Sequence, residues 1–254
     1  EEGQQVFANF GPEISLCLLC KSLPEAYSCK NGAMVLHKTG RLEDKNGDLT
    51  VFKRRLMETA QFVMNVAQPG GLSDKGNGIV TTQKVRLIHA SIRYYINKSG
   101  WDASKYGEPI NQMDMAGTLQ SFSTLTIQGL EIMKIELSEK EKQGYYHIWR
   151  VVGHIIGLDP ELNVETYQQG VELGQAILDD QRASSDEGHE LAMAVCEFIE
   201  DVLPGNLFRH TPEAIIRHLV GEDIAQDLKL DSHLNLVERI IPRMIGWAFD
   251  TAEE

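Results

Sequence analysis

An all-α fold of about ten helices is predicted by three features: apolar residues recur at helical spacing from end to end, strand signals are almost absent, and capping patterns punctuate the chain. A chain of 254 residues can bury a substantial core, and 42% hydrophobic with 24% charged residues is globular composition. There is no repeat, low-complexity tract or interior linker. Residues 1–254 therefore read as a single globular multi-helix domain.

Taken in order, Phe10 to Leu23 is an apolar opening, and Ala26 to Thr39 a second helix with a break near Gly32. Gly40 to Gly47 is a polar turn. Thr50 starts a helix through about Val66, with Phe52, Leu56, Thr59, Val63 and Val66 on one stripe. After the Gly-rich loop from Gln68 to Gly78, a helix from about Thr81 to Asn97 places Val85, Ile88, His89, Ile92 and Ile96 on its apolar side. Ser99 to Pro109 connects to an Asn111 and Asp114 cap, whose helix runs to about Lys134. Ser138 to Glu141 is a capping box, opening a helix that ends near Gly157. Asn163 caps the next, through about Asp180. Asp186 to Leu203 follows, with Leu191, Val195, Phe198 and Val202 inward. Thr211-Pro212 opens a short helix, with Pro at the tolerated first position. The last, from about His233 to Phe249, is apolar almost all round and so expected to be buried.

The net charge of −13 excludes a basic footprint for nucleic acid and disfavours a strongly anionic membrane surface. No apolar run reaches the ~18 residues that span a bilayer. The opening Glu1-Glu2-Gly3 is no signal peptide, so the expectation is a cytoplasmic over a secreted location, with a protein whose leader was trimmed as the alternative. Cys17-Leu-Leu-Cys20 has no second pair downstream and reads as two small apolar residues on a buried helix.

Three side chains carry chemical interest. His89 sits on a core-facing stripe, and an unpaired buried imidazole costs roughly 1–3 kcal/mol, so it needs a partner: protein, water or metal. Arg55 and Thr59 lie one turn apart, so a guanidinium and a hydroxyl face one region, while Glu58 points to the flank. His147 and His154 are roughly 10 Å apart along one helix, too far to chelate one metal. His189, His210 and His218 also lack a ligand pattern. There is no Gly-x-Ser-x-Gly, P-loop, dinucleotide fingerprint or diiron Glu-x-x-His pair.

Arg55-Leu56-Met57-Glu58-Thr59, the Gly-rich loop, and Arg86-Leu87-Ile88-His89-Ala90-Ser91-Ile92-Arg93 together resemble the catalytic domain of the rubber oxygenase (latex-clearing protein) family. That family also includes a fungal oxygenase of the mycophenolic acid pathway. Thr39 to Leu42, Trp101-Asp102, Gly107 to Asp114, and Trp149-Arg150-x-x-Gly153-His154-x-x-Gly157 resemble it too, so the likeness covers about residues 24–160. Over 161–254 only the helical character agrees.

The resemblance implies an all-α pocket holding haem b, with His89 as proximal iron ligand. It implies roles for Arg55 on the haem periphery or oxygen side, for Thr59 as a distal hydroxyl, and for Arg93 at a propionate. Gln112 and Asp114 are assigned to building the loop and cap. It further implies an oxygenase that uses dioxygen to cleave a carbon–carbon double bond in an apolar, unsaturated small molecule or polymer of the isoprenoid kind, with the haem doing the oxygen chemistry. One departure is plain: Glu58 stands where rubber-cleaving members carry a lysine. Their distal glutamate is not placed within Ala33 to Asp44; Glu43 and Glu58 are the nearest carboxylates, and neither position matches. A haem sensor or carrier without turnover, and a haem-free helical interaction protein, are the alternatives.

Overall fold

The structure, a computed structural model, describes residues 1–39, 50–202 and 211–230, and over these it is helical with no strand. In chain order the helices are α1 (Glu2–Asn9), α2 (Gly11–Cys17), a π-helical turn (Leu18–Ser22), α3 (Leu23–Tyr27), α4 (Lys30–Lys38), α5 (Thr50–Ala67) and α6 (Asn77–Lys98). They continue as α7 (Ala103–Tyr106), α8 (Gln112–Phe122), α9 (Thr124–Ile132), α10 (Glu139–Ile156), α11 (Tyr167–Gln181), α12 (Asp186–Val202), α13 (Thr211–Val220) and α14 (Glu222–Asp227). The expected turn at 40–47 with Glu43, the last helix at 233–249 and His210 fall outside the described residues.

The run from Gly11 to Tyr27 is one helical rod with a π turn in its middle. Pro24 explains the turn: it offers no N–H to the Cys20 carbonyl and its ring crowds that position, so the ladder opens just before it. The rod separates two apolar clusters. Cys20 and Tyr27 join Phe52, Leu191, Val195, Ile216 and Leu219 on one side. Cys17 and Ile14 join Val63, Val66, Leu119, Tyr145 and Trp149 on the other. All four cysteines are free thiols, and burial pushes Cys17 up to about 12, so the Cys-x-x-Cys is packing, as read. Lys21 lies on the same rod, buried, with Nζ 2.8 Å from the Glu25 carboxylate and donating to the Leu219 carbonyl.

Several boundaries differ from the sequence reading, each for a local reason. The break after the first rod falls at Ser28 and Cys29, not Gly32. There Ser28 Oγ donates to the Glu25 carbonyl, and the Ser28 carbonyl accepts from the Ala183 N–H. The helix expected to reach Lys134 divides at Ser123. The hydroxyls of Ser121, Ser123 and Thr124 all donate to carbonyls four residues back, which loosens the ladder there. The His89 helix starts four residues earlier than expected, at Asn77. Val202, expected inward, is exposed at the end of α12, whose buried stripe runs through Ala192, Val195, Cys196 and Ile199.

Asn163 does not cap α11. Its Nδ2 donates to the Arg150 carbonyl, and Thr166 is the cap, accepting from the Gln169 N–H while Gln169 Oε1 accepts from the Thr166 N–H. Thr166→Ala is expected to cost about 1 kcal/mol in urea unfolding. No loss there would place the cap elsewhere. The expected boxes at Asn111 with Asp114 and at Ser138 with Glu141 are both formed.

Candidate functional site

The loop between α5 and α6 fixes how these helices meet. A Cβ on Gly76 would lie 2.1 Å from the Gly71 carbonyl oxygen, and one on Gly71 would lie 2.2 Å from that of Asn65. Only bare backbone fits, so the hairpin closes tightly, and the Gly78 N–H bonds the Gly71 carbonyl at 2.8 Å. The helices run antiparallel from that turn. Arg55 stands twelve residues before the end of α5 and His89 twelve after the start of α6, which sets them at the same height.

His89 is partly buried, and its Nδ1 is shut off from solvent with no hydrogen-bond partner. Of its predicted stripe, Ile96 is buried and Val85 and Ile92 are partly so, but Ile88 is 40% exposed and turns away. Burial lowers the imidazole pKa to about 4, and the Arg93 and Arg55 guanidiniums add in the same direction. The ring is therefore neutral at pH 7 and offers a nitrogen lone pair, the form that binds a metal. Among the described residues no group of three His, Cys, Asp or Glu could hold a bare ion.

Thr59 Oγ1 donates to the Arg55 carbonyl at 3.0 Å, which leaves the hydroxyl oxygen's lone pairs free to accept. Arg55 also lies within electrostatic reach of Tyr27, a fully buried phenol that desolvation pushes up to about 12. Tyr27 was not singled out in the sequence, where nothing marks an aromatic some thirty residues upstream as a neighbour of this arginine. Glu58 is solvent-exposed and pairs with Arg54 at 2.9 Å along the same helix. It is on the flank, as expected.

Other residues of the motif act as struts. Arg93 Nη1 donates to the carbonyl of Ile110, a β-branched residue held at φ 54, rather than forming a surface salt bridge. Arg86 donates to the Ile155 carbonyl and covers Gly157, whose left-handed φ of 88 ends α10. Gln112 reaches the same corner, its Nε2 donating to the Gly157 carbonyl and its Oε1 accepting from the Asp159 N–H. Three motif stretches far apart in the chain thus lock one corner of the fold behind α6. His147, His154 and His218 are exposed, and His189 Nδ1 lies 2.9 Å from the Leu228 carbonyl oxygen.

The pH response follows from His89. In the unfolded chain the ring titrates near 6.5, in the folded protein near 4. Between those values the unfolded state takes up a proton that the folded state refuses, so stability falls as the pH drops through the window. The protein is expected to lose about 2 kcal/mol to this ring between pH 7 and 4, allowing for its partial exposure. Urea midpoints for wild type and His89→Gln check this, and equal pH slopes in the two would refute it.

The class is an all-α protein that offers a neutral imidazole within electrostatic reach of two arginines, one of them a helical turn from a threonine, on a fold shared with latex clearing protein. The closed-state structure of that protein covers 97% of this chain with a TM-score of 0.81 at 19% identity, while 66% of its own length is matched. The rubber oxygenase of Streptomyces sp. (strain K30) is 24% identical over 192 residues, 74% of this chain and 47% of the relative, so the chain spans about half that relative's length. The family model described as ER-bound oxygenase mpaB/B'/Rubber oxygenase, catalytic domain, matches residues 32–248, and the chain belongs to this family. The likeness read over 24–160 therefore extends through the C-terminal helices.

Proposed function

We propose that the chain is a haem b-dependent oxygenase of dioxygenase type, acting on an apolar, unsaturated and isoprenoid-like substrate. The observation that carries this is His89: an unpartnered, neutral imidazole at the height of Arg55. A single imidazole cannot hold a bare metal, but it suits an iron whose other ligands come from a macrocycle. Family membership supports the oxygenase class, and the curated relative, a rubber oxygenase by name, supports an apolar polymer or oligomer as substrate.

In this reading His89 would hold the iron, and Arg93 and Arg55 would supply positive charge for the haem carboxylates. The haem supplies the dioxygen chemistry when bound. The chain's residues orient and exclude: Thr59 offers a hydroxyl acceptor on the substrate side, and Arg55 a cationic donor beside it. Glu58, directed outward to Arg54, leaves no chain-derived base or ligand from that position. The test is a pyridine haemochrome assay on purified protein, followed by incubation with squalene or oligo-isoprene under dioxygen and detection of carbonyl products. Haem without product would make the chain a sensor or carrier. Absence of haem after reconstitution would remove the proposal altogether.

A further inference from the structure

The outer face of α6 is apolar where a soluble helix is ordinarily polar. Leu87, Tyr94 and Tyr95 are 68%, 60% and 69% exposed, and Val80 and Ile88 are exposed with them. At 3.6 residues per turn, Val80, Leu87 and Tyr94 stand about 140–180° around the helix from His89, so this face is distinct from the site. Met57 and Met64 are likewise exposed on α5, on the side away from Arg55 and Thr59. Among the described residues the hairpin is therefore two-faced, with its chemistry inward and an exposed apolar surface outward.

Charge indicates what covers that surface. α6 contains no Asp or Glu and four cations, of which Arg86 and Arg93 bond backbone carbonyls behind the helix while Lys84 and Lys98 remain for its outer side. Lys84 and Lys98 share the outer face with Leu87, and Lys98 Nζ lies 5.8 Å over the Tyr94 ring, which itself packs edge-on to Tyr95. Lysines flanking leucine and tyrosine on one exposed helix face is the pattern of a helix that lies in a membrane interface, where phenols favour the headgroup level. Glu108 approaches the end of α6 at Asn97, and with a Debye length of roughly 8 Å at physiological salt the charges farther from the outer face than that are largely screened. Among the described residues no single helix is long and apolar enough to cross a membrane, so the contact is peripheral.

We infer that the outer face of α6 docks the protein onto a bilayer surface carrying anionic lipid headgroups. The inference does not depend on what His89 binds. Full-length protein is sedimented with vesicles of phosphatidylcholine mixed with phosphatidylglycerol, and with phosphatidylcholine alone. Partition is expected to be about tenfold stronger on the anionic vesicles and to fall in high salt. Lys84→Glu/Lys98→Glu and Leu87→Ser/Tyr95→Ser should each weaken it by at least about tenfold, with unchanged thermal midpoints since these side chains are exposed. Equal partition onto both vesicles, or none onto either, overturns the inference. A doubled mass in light scattering that Leu87→Ser/Tyr95→Ser abolishes, without vesicle binding, assigns the face to a second copy instead. No binding combined with a lowered midpoint in that variant assigns it to packing within the chain.

Discussion

With haem held as proposed, His89→Ala is expected to purify without the Soret band of the wild type and to take up added haem at least about 100-fold more weakly, since even outer partners of metal ligands are worth 10–100-fold. The fold should survive. Nδ1 makes no hydrogen bond, so the substitution breaks no network, and the small cavity it leaves is expected to cost about 1–2 kcal/mol. Far-UV dichroism and a urea midpoint separate loss of the ligand from loss of the protein. Free imidazole offers a second readout, because it can enter the vacated space and partly restore the band. A variant that keeps both haem and its spectrum would remove His89 as the ligand, and with it the site proposed here.

Lys21→Met is expected to be the most damaging single change to stability, at about 3–5 kcal/mol. Lys21 and Glu25 are one turn apart and 2.8 Å in separation, both nearly without solvent, and Lys21 also satisfies the Leu219 carbonyl of α13. Removing the ammonium strands a carboxylate where water cannot reach it. The double variant Lys21→Met/Glu25→Leu should recover most of the loss, because replacing a buried pair with apolar volume is often neutral or better. Denaturant unfolding of both decides it. A single variant within about 1 kcal/mol of wild type would mean that water reaches the pair in solution.

How far the residues alone spoke can be seen element by element. The α5 and α10 boundaries were legible to within a residue or two. Their signals, an amphipathic stripe in one and a Ser138 and Glu141 box with a left-handed glycine in the other, act within a few residues of where they are written. The Asn111 cap was legible for the same reason. The ordered set of motifs around Arg55 and His89 was enough to reach the family, though not to distinguish chemistry from support. Arg86 and Gln112 hold the Gly157 corner, and Arg93 holds Ile110, through bonds between residues 17 to 69 positions apart.

What sequence by itself determined, then, is the helical class, most helix positions, the buried character of Cys17 and Cys20, and the presence of one imidazole among apolar neighbours. These depend on periodicity and on contacts within a turn or two, which the order of residues contains directly. Only the tertiary structure decided the rest. It decided that Thr166 and not Asn163 caps α11, because Arg150 claims Asn163. It brought Tyr27 to Arg55, left Nδ1 of His89 without a partner, and turned Leu87, Tyr94 and Tyr95 outward, with Lys98 over the Tyr94 ring. A net charge is a sum over the chain and an apolar stripe is a direction on one helix. Which neighbour meets that direction, and which charges surround it, is settled only when distant helices pack.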